Sequence, residues 1–148
     1  MRRSTVKKCE KMSGKESKKM TLKSEFGEIE RVEPFVKELQ DSFDFTDDTF
    51  GNVMLCLSEC VTNAILHGNK EDPDKQVHVN AWREDDLLKI SIQDEGSGFD
   101  PDKLPNPLDQ ENLMKEGGRG VYLIRQYSDD VNFSEGGTKI TIQFHLKS

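Results

Sequence analysis

Apolar positions along the chain follow two rhythms. Between Met20 and Ser24, Gln76 and Trp82, and Leu87 and Gln93 they alternate with polar ones, the period of half-buried strands. Leu88, Ile90 and Ile92 share one face of the third, and Glu84–Asp86 reads as the turn that makes a hairpin with the second. Elsewhere the spacing is three to four. Ile29, Val32, Phe35, Leu39 and Phe43 predict an amphipathic helix over 27–42, although Pro34 must sit in its first turn or kink it. Phe50, Val53, Met54, Leu57, Val61, Ala64 and Ile65 form the stripe of a longer helix over 47–67, with Thr46 as N-cap and Gly68 as C-cap. A short helix is expected over 120–127, then strands at Val131–Ser134 and Lys139–Leu146 joined through Gly136-Gly137. Hairpins flanking a helix predict an α+β two-layer sandwich: a mixed, mostly antiparallel sheet with helices on one face.

Length and charge narrow this. A chain of 148 residues suits one domain. Residues 1–23 hold nine Lys or Arg against Glu10 and Glu16, and the remainder is strongly acidic, the whole chain netting −7. Residues 1–19 have too little apolar content to offset the cost of ordering and read as a disordered basic tail ahead of a domain over 20–148. An acidic body is a poor match for a nucleic-acid backbone. The longest apolar run, Val53–Leu57, predicts no membrane span, and no apolar stretch follows the basic start as in a secretory signal. Three cysteines without a CxxC suit a reducing cytoplasm.

Three stretches carry chemistry. In LSECVTNAILHGN, Leu57–Asn69, Glu59 and Asn63 lie one helical turn apart, opposite the apolar stripe. A carboxylate there can take a proton from a nucleophile, and an amide oxygen is a hard ligand suited to Mg²⁺. The same residues also fit a solvated helix face. In DEGSGFDP, Asp94 ends an apolar strand, and Gly96 and Gly98 let backbone approach a ligand closely. Such a carboxylate can accept from an exocyclic amine, though a Gly-containing turn with an Asx cap reads the same way. In GGRGVYLI, Gly118, Arg119 and Gly120 open a helix whose free N–H groups can meet an anion. No GxxxxGK[ST] occurs, and no apolar strand runs into these glycines as a dinucleotide fingerprint requires. The segment between the last two motifs is long, polar and broken by Pro101, Pro105 and Pro107, as functional loops often are.

In order and spacing these stretches resemble the GHKL, or Bergerat-fold, ATPase superfamily over residues 20–147. Glu59-x₃-Asn63 looks like its N box, Asp94-x-Gly96-x-Gly98 its first glycine box and Gly118-x-Gly120 its second, and Thr138 matches a family Gly-Thr opening a late strand. Glu95 departs from the family's frequent DNGxG. The form ECVTNAILHGN is most similar to stand-alone anti-sigma-factor serine/threonine kinases, and no histidine lies upstream of the N box as a histidine kinase's phosphoacceptor would. The resemblance implies ATP with Mg²⁺ on Asn63, Asp94 on the adenine amine, Thr138 near the base, Gly118, Arg119 and Gly120 on the phosphates, 100–117 as a lid, and Glu59 as catalytic base. It further implies a STAS-like anti-sigma-factor antagonist as substrate, a sigma factor or similar regulator as partner, and a possible homodimer. The alternative is a nucleotide-gated adaptor that sequesters a regulator without phosphotransfer.

Overall fold

The alternating segments pair into one sheet. A computed structural model describes residues 16–97 and 118–146. Its strands are β1 (Ser17–Lys23), β2 (Gln76–Glu84), β3 (Leu87–Gln93), β4 (Asp130–Ser134) and β5 (Lys139–His145). They lie in the order β1-β2-β3-β5-β4, and every pairing is antiparallel. Register follows the apolar pattern. Val79 stands between Met20 and Ile92, and Ile90 stands between Ala81 and Ile142. All six are buried, so a slip of one residue would turn this face to water. The opposite face carries polar rows such as Thr21, His78, Gln93 and Lys139. β1 starts at Ser17, inside the stretch expected as tail. Backbone pairing of Ser17, Lys18 and Lys19 with Trp82, Ala81 and Asn80 extends it, and Lys18 reaches Glu38 at 3.5 Å. Hydropathy does not register such edge pairing. The tail over 1–15 and the lid over 100–117 lie outside the described residues.

Among the described residues three α-helices cover the apolar face. The first expected helix divides in two: Phe26–Arg31 forms a 3₁₀ turn, and α1 runs Val32–Phe43. Pro34 then falls in the first turn of α1, where a missing N–H costs no intrahelical bond. Val32, Phe35, Val36, Leu39 and Phe43 are buried, and Asp44 at φ 58° ends the helix with its N–H on Gln40 O. α2 (Asp47–Asn63) begins as its sequence requires, with the Thr49 N–H donating to Thr46 Oγ1 at 3.2 Å and two acids in the first turn. Its last turn widens into a π-turn, Ala64–Gly68. Gly68 is therefore not the cap but the final residue of that turn, and Asn69 caps it by donating to Ala64 O at 2.8 Å. α3 (Gly118–Tyr127) packs on α2 through Val121 and Ile124.

Asp47–Gly68 is 22 residues long and its most apolar 18-residue window has a mean hydropathy of 1.3, enough by length and composition to cross a membrane. Here its apolar stripe faces the core: Val53, Cys56, Leu57, Cys60, Val61, Ala64 and Ile65 are all buried. Burying a side chain such as Leu57 is worth about 1.5–3 kcal/mol. Burial pushes the Cys56 thiol up to about 12 and raises that of Cys60 as well, with Glu59 adding to both. Both thiols are buried among the core side chains and packed as apolar groups.

Candidate active site

At the end of β3 the chain turns tightly beneath α2. The Asp94 N–H donates to Thr138 O at 2.9 Å, which fixes it beside β5. The Gly96 N–H donates to Asp94 Oδ1 at 2.8 Å. The carboxylate is half-buried, and desolvation raises its pKa against the opposing pull of the Gly96 N–H and the Lys75 charge. Two glycines make this packing possible. A methyl group on Gly68 would stand 2.9 Å from Asp94 Oδ1 and closer still to Cγ and Oδ2. A methyl group on Gly96 would overlap the Gly68 carbonyl. The π-turn and the loop after β3 thus meet backbone to backbone, leaving the carboxylate, among the described residues, with acceptor capacity beyond the Gly96 N–H.

Glu59 and Asn63 form the other side. Helical spacing places both on one face of α2, and both are half-buried. They converge on Gly120 in the first turn of α3. A methyl group there would lie 3.0 Å from Glu59 Oε1, 2.8 Å from Asn63 Nδ2 and 3.4 Å from Asn63 Oδ1. A carboxylate and a neutral amide therefore share one point with the opening of a helix whose first N–H groups have no intrahelical acceptor. That set combines a proton acceptor, a hard oxygen donor and a positive dipole end, the components for holding a phosphorylated ligand beside a reacting hydroxyl.

The structure brings Glu59, Asn63 and Gly120 together at one end and Asp94, Gly96 and the Thr138 backbone at the other. The Thr138 hydroxyl is turned onto Glu135 O at 2.9 Å. Gly118 and Arg119 open α3, with the Arg119 side chain, like Gly98, outside the described residues. Glu95 points away from Asp94, its carboxylate 3.0 Å from His78 Nε2, which lowers its pKa. Sequence reasoning read Gly68 only as a helix stop and assigned Asn69 no part. The signal was present in His67-Gly68-Asn69, but its meaning depends on residues some twenty-five positions later.

A family model described as a histidine kinase-like ATPase domain matches residues 22–144. The chain belongs to this family. The histidine kinase-like ATPase fold seen here is shared with the crystal structure of the RsbU and RsbW domains of Rv1364c from Mycobacterium tuberculosis, with a TM-score of 0.61 at 16% identity. That likeness covers 88% of this chain and 32% of the other. The chain is also similar to an anti-sigma F factor of Bacillus velezensis, 32% identical over 131 residues, spanning 82% of this chain and 90% of the relative. An anti-sigma F factor of Heyndrickxia coagulans is 35% identical over 122 residues, 78% and 80% of the two chains. A serine-protein kinase RsbW of Staphylococcus aureus is 32% identical over 111 residues, 69% of each. Membership of an ATPase family makes ATP the nucleotide to fit to these residues.

Proposed function

We propose that this protein is an ATP-dependent serine/threonine kinase of the anti-sigma-factor type, which phosphorylates a small STAS-like antagonist and sequesters a sigma factor or similar regulator. The observation that carries the proposal is the convergence of Glu59 and Asn63 on Gly120, with Asp94 held in a separate half-buried notch. Relatives named anti-sigma F factor and serine-protein kinase, alike over most of the chain, support it.

The residues fit the nucleotide. Glycine stands wherever a Cβ would fill the space between motifs, and the half-buried Asp94 suits a neutral amine donor. Asp94 accepts from the adenine amine, while Gly96 carries backbone close to the base. Thr138 Oγ1, already donating to Glu135 O, keeps lone pairs for a donor on the base side. The N–H groups of Gly118, Arg119 and Gly120 face the phosphates. Among the described residues no three His, Cys, Asp or Glu side chains gather around a metal, so Asn63 would hold Mg²⁺ jointly with phosphate oxygens. Bound there, Mg²⁺ would neutralise phosphate charge. Glu59 takes the proton from the incoming serine as its oxygen bonds to the γ-phosphorus and the bond to the bridging oxygen of ADP breaks. Glu59 also orients that hydroxyl, and positioning supplies much of the acceleration in such transfers.

The test is transfer of label from γ-labelled ATP to a STAS-like protein encoded near this chain's gene. Phosphoserine on that protein, lost when EDTA removes divalent metal, is the expected result. Tight binding of the partner with no labelled serine would favour a nucleotide-gated adaptor instead.

A further inference from the structure

Asn69 is polar yet only 1% exposed, and each arm of its amide is used. Its Oδ1 accepts from the Glu95 N–H at 2.7 Å. Its Nδ2 donates to Ser24 Oγ at 2.7 Å and to Gln76 O at 3.0 Å. The Ser24 hydroxyl, also buried, passes its own proton to Lys75 O at 2.8 Å. One amide thus joins the end of β1, the start of β2 and the peptide that follows Asp94. The backbone around it is shaped to hold this position. Asn69 closes the π-turn, and Lys70 and Glu71 follow with φ of 54° and 56°, left-handed conformations that cost energy for residues with side chains.

We infer that Asn69 is a positioning residue that sets base selectivity by fixing the Asp94–Glu95 peptide. The inference rests on the reading of Asp94 as the acceptor for the adenine amine. Asp94 is held from above by Thr138 O and within the loop by the Gly96 N–H, whereas among the described residues the peptide leading out of it is tied to the body by one buried bond, to Asn69, and by the exposed Glu95 carboxylate, which meets His78 and the Gln76 N–H. Freeing that peptide lets the carboxylate swing relative to a base without disturbing Glu59, Asn63 or Gly120. A carboxylate fixed in place accepts from the amine of adenine and repels the carbonyl oxygen guanine carries there. A loose one discriminates less.

The experiment measures the affinities of ATP and GTP by calorimetry on the full chain, wild type against Asn69→Ala and Ser24→Ala. Wild type prefers ATP. Asn69→Ala narrows the ATP-over-GTP ratio by about tenfold, roughly the effect of one buried hydrogen bond, while the turnover of saturating ATP changes less than threefold. Ser24→Ala narrows the ratio in the same direction by a smaller factor, and it decides the matter should Asn69→Ala fail to fold. Combined with Asp94→Asn, the Asn69→Ala effect on selectivity disappears, because the residue acts through that carboxylate. An equal fall in both affinities, or selectivity effects that simply add, would mean a structural role only and overturns the inference. A wild-type protein that binds ATP no better than GTP overturns the reading of Asp94 instead.

Discussion

The two ends of the site are built by opposite means. Around Asp94 the structure works by exclusion: Gly68 and Gly96 stand where no side chain fits, and backbone packs on backbone. Around Gly120 it works by convergence: two side chains of α2 lean toward one point, and their ends can swing aside. A rigid notch suits the recognition of one base edge. An end that can adjust suits a reacting centre, whose bonds change during turnover. The contrast teaches that glycines alike in the sequence motif carry different loads.

Substitutions should separate the two. Gly96→Ala should have the largest effect, because the obstacle is a backbone carbonyl that cannot rotate away. A strain cost of about 3 kcal/mol, at the upper end for overpacking, corresponds to at least a hundredfold loss of ATP affinity, read by calorimetry alongside a lowered melting temperature. Glu59→Gln should leave ATP affinity within twofold and reduce phosphotransfer by roughly 10² or more, measured as single-turnover labelling; transfer at the wild-type rate would sink the base assignment. Gly120→Ala should be milder, about tenfold in transfer with a small change in melting temperature, since the added methyl meets only side-chain ends. If it lowers the melting temperature and ATP affinity as far as Gly96→Ala, the contrast between the ends is false.

The smallest effect concerns pH. Burial raises the Asp94 pKa, so this carboxyl binds a proton in the folded state at a pH where the unfolded chain has released it. The group's contribution to stability therefore falls as pH rises through that window and recovers as pH drops. With Asp94 in its proposed role as acceptor for the adenine amine, ATP binding runs the other way, because only the ionised carboxylate is a pure acceptor. ATP affinity should weaken on acidification along a limb above the ordinary Asp value of about 3.9. Asp94→Asn should erase that limb in a pH series of titrations, and at neutral pH it should bind ATP less tightly without melting earlier than wild type.

Much of the fold was legible because its signals are local. Alternation at Gln76–Trp82 and Leu87–Gln93, the Thr46 cap and the stripe of α2 each need only a few neighbouring residues, and all appear where expected. Pro34 had to sit in the first turn of its helix or kink it, and it sits in the first turn. Gly120, Glu59 and Asn63 were readable as motif positions, but their shared point in space comes from α3 packing on α2 across a long intervening segment. Four features escaped. The Ser17–Lys19 pairing is held by backbone, which hydropathy cannot see. The π-turn follows from packing rather than propensity. The closeness of Gly68 to Asp94, and the hold of Asn69 on Glu95, join parts of the chain that no local pattern links.

The paired thiols of α2 have a consequence for the cell's oxidants. Cys56 and Cys60 are buried and keep their protons, so peroxide finds no thiolate there to attack. An oxidative burst would leave these two thiols unmarked unless α2 first parted from its neighbours, and a switch built on this helix would not be read through them.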